Sequence, residues 1–500
     1  MPYFNKHIQT FLFLALFAIP LFFLNIHNVH PAGGDDYAQY IKEAQNIANG
    51  KPYYQSNYVF NKYNNCYSPP QYPPGFPLLL APVVKIWGIA IMPMCYFNTV
   101  IAVCLLFSFF IFFRKYAGSV SAFCLAVIIS YSGIMIDLKQ LVLADESCLL
   151  FVMLYLIFRN ARRFSWQRVS LLIVFASMAI LIRTQSVLLV FAEMLYIILF
   201  VIREWIRQKK FTLTLICKIP SLYIIAGSLL LSVFLNSTVF YSPTSALQFY
   251  VDFLQSTLQK GVLTIVRDNI NSFLATISGF FHYDTENSIR TAIVTVMGSA
   301  GLLFCIIGFV IKITGRLSFD DLFFILLCGL MLYYPIHDSR YFLPAIAIVY
   351  YYCYAALEKI LPVLTKIRLR NIGLGITAVY LIAGFHYFKT TTEMFPYGYM
   401  PLRKDMLAVS YISKNISDSD IIVCARPRLT TLYTNKKCMV HAWQYPMDVN
   451  RRVFDSMRVK YILLNGFSYT DDYYHTYLNN FQHPIDSTYL AQGYMLYTLR

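Results

Sequence analysis

Charge is scarce in this chain. Only 13% of its 500 residues are Asp, Glu, Lys or Arg, while 58% are hydrophobic, too little polar surface to cover a soluble globule of that size. Carboxylates are the rarer sign, 25 Asp and Glu against 41 Lys and Arg, so each acidic cluster calls for a physical reason. The 11 cysteines include no CxxC pair and no Cys/His metal spacing, and most lie in apolar runs, where Cys behaves as a small hydrophobe. No internal repeat and no low-complexity segment is found, which weighs against a transporter built from symmetric halves.

What is present is a succession of long apolar runs. At about 20 residues per span the chain reads as eleven membrane segments: 8–27, 95–113, 120–137, 140–158, 169–183, 185–202, 219–237, 291–311, 321–335, 341–357 and 371–388. The predicted fold is therefore mainly α, a polytopic helical membrane protein. The first segment follows Lys6 and lacks a small-residue cleavage site, so it reads as a retained anchor.

The formal net charge of +16 does not point to nucleic acid, because the basic residues cluster between spans. With the N-terminus inside, the cytoplasmic segments gather Arg159, Arg162, Arg163 and Arg168, or Arg203, Arg207, Lys209 and Lys210. The short outer turns offer Lys139, Arg183 and Arg340. Region 169–202 supports that count. As one helix it would run about 50 Å, far more than the ~30 Å hydrocarbon core. Two spans turning near Arg183 keep both flanking clusters inside.

Three long pieces then lie outside: the loop 28–94, the loop 238–290, and a tail 389–500 that reads as a soluble α/β lid-like domain following a membrane domain 1–388. Strand-like runs in the tail include Ile421–Cys424 and Tyr461–Leu464. A Cys424–Cys438 disulfide is compatible with an oxidising compartment, and spacing does not decide it.

The stretch Gly33-Gly34-Asp35-Asp36-Tyr37-Ala38-Gln39-Tyr40 places two carboxylates at the start of a helical pattern. Tyr37, Tyr40, Ile41, Ala44, Ile47 and Ala48 keep helical spacing up to Gly50, predicting an amphipathic helix along the bilayer surface. One aspartate suffices as a cap. The second suggests a general base, or a pair that binds metal or substrate.

Asp145 and Glu146 fall one to two turns inside the fourth span, where an ionised carboxylate costs about 2.5–3.5 kcal/mol unless it faces a cavity or a partner. A span starting at Ser147 would leave both in water. Arg183 can pair with either acid or bind a lipid phosphate through its forked donors. In Tyr334–Pro344, Arg340 is an anion-binding candidate or the partner of Asp338, with His337 and Tyr341 beside it. This inventory suits group transfer from a lipid phosphate: a carboxylate deprotonates an acceptor hydroxyl while arginines, with or without a divalent cation, stabilise the departing phosphate.

The acidic pair after the first span, Gly50-Lys51-Pro52-Tyr53, the run Tyr72-Pro73-Pro74-Gly75-Phe76-Pro77-Leu78-Leu79-Leu80-Ala81-Pro82 and Arg340-Tyr341-Phe342-Leu343-Pro344 together resemble C-type glycosyltransferases, in the branch of protein mannosyltransferases and lipid A aminoarabinose transferases. The resemblance covers the membrane part well and the tail loosely. It implies a sugar donor on polyprenyl phosphate, a glycan, lipid or protein acceptor, and transfer with inversion on the outer face of a bacterial inner membrane. Asp35 would be the catalytic aspartate, with Asp36 beside it where relatives often have Glu, and Asp145 or Glu146 the second acidic position. Arg183 and Arg340 would hold the donor phosphate, supported by Tyr72, His337 and Tyr341. Metal use varies in the family, and no ligand signature here decides it. The rival from another class is a transporter or lipid flippase, which would place charges near the midplane of several spans.

Overall fold

The computed structural model describes residues 12, 14–24, 36–61, 71–160, 165–208, 220–239, 261–278, 288–315, 317–334, 338–364, 373–375, 377, 403–441, 445–464, 468–481, 486–491 and 493–499. In chain order the helices are α1 Asp36–Ala48, α2 Gly75–Trp87, α3 Ile91–Phe113, α4 Ser119–Ser130, α5 Gly133–Leu141, α6 Asp145–Arg159, α7 Trp166–Ile182, α8 Leu188–Gln208, α9 Pro220–Phe234, α10 Val262–Ser278, α11 Ser288–Ile313, α12 Phe319–Leu332 and α13 Ile346–Leu364. The tail adds α14 Arg403–Asn415, α15 Pro427–Thr434, α16 Met447–Met457 and α17 Ser468–Phe481, with strands β1 Ile421–Cys424, β2 Lys437–Met439, β3 Val459–Leu464, β4 Asp486–Ala491 and β5 Tyr494–Thr498. The chain divides into two compact units: a membrane unit, residues 1–27, 95–241 and 257–395, and a second unit, residues 28–94, 242–256 and 396–500.

In the membrane unit, five described helices are long and apolar enough to cross a bilayer: Ile91–Phe113, Thr184–Arg207, Pro220–Ser237, Thr295–Ile313 and Ser339–Leu361. The pair α4 and α5, bent by 50°, makes a sixth if counted as one span. The chain is an integral membrane protein, mainly helical, with a small sheet near its C-terminus. The helices α6, α7 and α12, of 15, 17 and 14 residues, fall short of the length that alone marks a span. Most of the segment read at 371–388 lies outside the described residues. The helix break expected near Arg183 is present: α7 ends at Ile182, Arg183 is extended at φ −143°, and a 3-10 turn, Thr184–Val187, leads into α8.

Several charges within these helices are paired. Glu193, in the apolar α8, receives Arg159 Nε at 2.5 Å and the Tyr155 hydroxyl at 2.7 Å, which ties α6 to α8. Asp320 accepts from Tyr116 and Asn160, and Asp321 from Tyr352 and from Ser318, its partner in a capping box. An uncompensated charge at such depth would be costly, so these pairs hold the helix ends in register. Gly308 lets α11 press against the backbone of Tyr352 in α13, where any Cβ would collide with the Tyr352 carbonyl.

The second unit is built on a five-stranded mixed sheet of order β2-β1-β3-β5-β4. Both strand runs read in the tail are strands of that sheet. β1 pairs in parallel with β2 and β3, and β5 runs antiparallel to β3 and β4. Val423, Met439, Phe454, Ile462, Tyr474 and Tyr477 fill the core on one side. The first loop joins this sheet: Val59 donates to the Cys438 carbonyl at 2.8 Å and Cys438 to the Asn57 carbonyl at 3.2 Å. Cys424 and Cys438 are both buried and not cross-linked. The register sets Cys438 opposite Ile422, two residues before Cys424. That diagonal spans about 8 Å, beyond the roughly 7 Å that a disulfide bridges.

Candidate active site

α1 forms where the apolar period predicted it and stops at Gly50, whose φ of +66° favours glycine. Its surroundings differ from the expectation of a helix lying on a bilayer surface. The polar positions Gln39, Lys42, Glu43 and Asn46 are buried along with Tyr37, Tyr40, Ile41 and Ala44. They are buried because α2 and α15 pack against α1, and each of these four side chains has a hydrogen-bond partner within the unit. Lys42 Nζ donates to Asn435 Oδ1 at 2.8 Å, and Asn46 Nδ2 to the carbonyls of Tyr53 and Gln55 at 3.2 and 2.9 Å.

Asp36 is the first residue of α1, where the helix dipole favours an anion. The Tyr72 hydroxyl donates to Asp36 Oδ1 at 2.6 Å, and Arg428 Nη1 reaches that oxygen at 3.3 Å and the Tyr72 hydroxyl at 3.1 Å. The Arg428 guanidinium lies over the rings of Tyr58 and Tyr72, and the Tyr72 ring stacks on Tyr40 at 4.4 Å. Burial and the Asp36 carboxylate hold the Tyr72 phenol well above its ordinary pKa, so it remains a donor. Burial opposes the Arg428 charge, yet Tyr72, Tyr58 and Asp36 raise its pKa above the usual value.

Glu43, two turns along α1, supports this arrangement from behind. Its Oε1 accepts from Gln39 at 2.8 Å and from the Tyr72 backbone N–H at 3.1 Å. Burial pushes its carboxyl up to about 8 against those hydrogen bonds and the Arg428 charge, so the group is mostly protonated at neutral pH.

A second cluster lies in the membrane unit. Asp145 begins α6, Arg183 sits in the break between α7 and α8, and Arg340 in the 3-10 helix Ser339–Ala345. Arg183 Nη2 lies 2.7 Å from Asp145 Oδ2, and Arg340 Nη1 lies 4.0 Å from the same oxygen. Arg340 also meets Asp338 at 2.7 Å, and both guanidiniums stack on the Tyr341 ring at 5.4 and 5.5 Å. Of the partners open to Arg183, the structure gives Asp145; for Arg340 it gives Asp338 and, more distantly, Asp145. A guanidinium carries five donors, so engagement with a carboxylate is compatible with a second anion.

Glu146, the neighbouring acid, is buried with no hydrogen bond to either carboxylate oxygen. Lys139, its electrostatic counterpart, donates to the carbonyls of Leu21 and Leu24 at 2.5 and 2.8 Å. The described residues thus bring Asp145, Arg183, Arg340 and Tyr341 together in one unit, and Asp36 with Tyr72 in the other. Asp35 and His337 lie outside the described residues. Arg428 and Glu43 escaped the sequence reading. Glu43 falls seven residues after Asp36 on one helical face, a usable signal; Arg428, 392 positions from Asp36, carries none. Among the described residues no group of three or more His, Cys, Asp or Glu is placed to hold a metal ion.

Residues 71–226 match the model of the dolichyl-phosphate-mannose-protein mannosyltransferase family. None of the curated proteins matches the chain in sequence. Among solved structures, the oligosaccharyltransferase of Archaeoglobus fulgidus in its apo form is similar with a TM-score of 0.61 and 12% identity, over 95% of this chain and 71% of that one. The same archaeal enzyme, AglB, with an inhibitory peptide and a dolichol-phosphate gives 0.53 and 11%, over 98% and 72%. ArnT of Cupriavidus metallidurans in the apo state gives 0.53 and 10%, over 99% and 98%. At such identities the likeness is one of fold. The resemblance read from the sequence is borne out: residues 71–226 match a mannosyltransferase family model, and the fold is similar to that of the solved oligosaccharyltransferase and ArnT.

Proposed function

We propose that the chain transfers a sugar from a polyprenyl-phosphate donor to a glycan, lipid or protein acceptor, with inversion, on the extracytoplasmic face of a bacterial inner membrane. The observation that carries the reading is the cluster in which Arg183 and Arg340 share the Asp145 carboxylate within a C-type fold, two forked guanidiniums side by side whose remaining donors suit a phosphate. The archaeal relative is solved with a dolichol-phosphate, and in another structure with a tethered acceptor peptide, which supports a donor and an acceptor of these classes. In this reading the membrane domain spans residues 1–388 in eleven segments and the tail 389–500 is extracytoplasmic.

Asp35 takes the proton from the acceptor hydroxyl as its oxygen attacks the anomeric carbon. The bond from that carbon to the phosphate oxygen breaks, and the polyprenyl phosphate leaves with the electron pair, its charge met by Arg183 and Arg340. The same archaeal enzyme is also solved with zinc and sulfate. Here the described carboxylates Asp36 and Asp145 are already engaged by guanidiniums, a poor donor set for a divalent cation, so no step is assigned to a metal.

Mass spectrometry of lipid-linked sugars and surface glycans, in cells with and without the protein, tests the reading. Loss of one glycan modification with accumulation of one lipid-linked sugar is expected. An unchanged inventory of both would overturn it.

A further inference from the structure

We propose that Arg428, carried by the soluble tail, is a positioning residue for the transfer reaction, holding Asp36 and Tyr72 in a single arrangement at the head of α1. The inference rests on the glycosyltransferase reading, and it makes the tail a working part of the active site rather than a cover.

Three observations carry it. First, one nitrogen of Arg428 bridges the Asp36 carboxylate and the Tyr72 hydroxyl, at 3.3 and 3.1 Å, while that hydroxyl donates to the same carboxylate at 2.6 Å. Three polar groups from three distant parts of the chain thus close a triangle of hydrogen bonds, and each fixes the other two. Second, the Arg428 side chain is 1% exposed and lies over two tyrosine rings, so it cannot swing away as a surface arginine would. A buried guanidinium used only for packing would be an expensive choice. Third, the backbone of Tyr72 is held separately by Glu43, so the residue is fixed at its backbone as well as at its hydroxyl, and the Arg428 contact is supplied by the tail.

The consequence concerns the division of labour within the acidic pair. Asp36, engaged by a cation and a phenol, anchors the first turn of α1, which leaves proton transfer to Asp35, the residue immediately before it in the chain. Arg428 therefore acts through Asp36, not on the substrate.

The test uses full-length protein in membranes, with a lipid extract from a strain lacking the protein as the donor pool. Arg428→Lys keeps the charge and loses the planar fork, and Tyr72→Phe removes one hydroxyl while keeping the ring. Arg428→Lys is expected to lower kcat about ten- to hundredfold, the worth of a charge-assisted hydrogen bond. KM for the donor should stay within about threefold, as for a residue that acts on the reacting step alone. Because both residues act through Asp36, the double variant should lose no more than Arg428→Lys alone. An unchanged kcat in a folded Arg428→Lys protein, or losses that multiply in the double variant, would overturn the proposal. If Arg428→Lys fails to accumulate, Tyr72→Phe decides alone: a reduced kcat with unaltered KM supports the inference and a wild-type kcat ends it. A wild-type protein that consumes no lipid-linked sugar would instead remove the glycosyltransferase reading on which the inference stands.

Discussion

The guanidinium of Arg183 lies 2.7 Å from Oδ2 of Asp145, with the aspartate side chain 3% exposed and the arginine 15%. An ion pair this enclosed is not a surface ornament. It holds a guanidinium in the break between two apolar helices.

Removing that cation should show in donor binding. Arg183→Ala is expected to raise the donor KM by roughly tenfold or more, the loss of a charge-assisted contact, with a smaller effect on kcat. Asp145→Asn should act differently, leaving two enclosed guanidiniums without their shared anion and destabilising the protein by about 3–5 kcal/mol. Donor titrations in membranes and thermal unfolding in detergent separate the two effects, and an Arg183→Ala protein with wild-type donor affinity would count against the phosphate role.

Asp35 and Asp36 should also part company. Asp35→Asn is expected to insert and accumulate normally while losing about 10²–10⁴-fold in transfer, the usual contribution of a general base. Asp36→Asn removes the charge that meets the buried Arg428 and should loosen the second unit, seen as faster proteolysis of the tail. Wild-type rates in Asp35→Asn would take that residue out of the mechanism.

The contrast between these residues also shows what sequence can and cannot convey. The helix at 36–48 was readable because its apolar spacing and glycine stop are local, and Asp145, Arg183 and Arg340 stood out because charge is rare in apolar runs. What local pattern could not convey was partnership. The polar face of α1 looks solvated until α15 is known to cover it, and Arg428 looks like any tail arginine until folding brings it to Asp36. Among the described residues five or six spans stand out by length, and α6, α7 and α12, of 15, 17 and 14 residues, mark no boundary by hydropathy alone.

Glu43 gives stability a pH dependence with a defined sign. Its folded pKa of about 8 stands above the ordinary 4.5, so the folded protein retains a proton that the unfolded chain has lost. Stability from this group is therefore greatest below the unfolded value, falls as pH rises between the two, and levels off above about 8. Glu43→Gln, which can still accept from the Tyr72 N–H, should abolish this slope. Unfolding temperatures of both proteins from pH 5 to 9 check it, and parallel curves would contradict the assignment.

Both tail thiols should remain reduced. Cys424 sits 3.5 Å from the Thr430 hydroxyl and Cys438 lies 3.6 Å from the Lys436 carbonyl, two residues out of register on neighbouring strands. Peptide mapping without reductant is expected to find each singly alkylated after unfolding. A cross-linked peptide containing both would refute this.

The most direct test follows the donor itself. Membranes carrying wild-type protein or Asp35→Asn are incubated with the lipid extract of a strain lacking the protein, and lipid-linked sugars are followed by mass spectrometry. The account predicts that the wild type depletes one polyprenyl-phosphate sugar and releases polyprenyl phosphate, while Asp35→Asn leaves that species almost intact. Identical time courses for the two proteins, or no depletion by either, would contradict it.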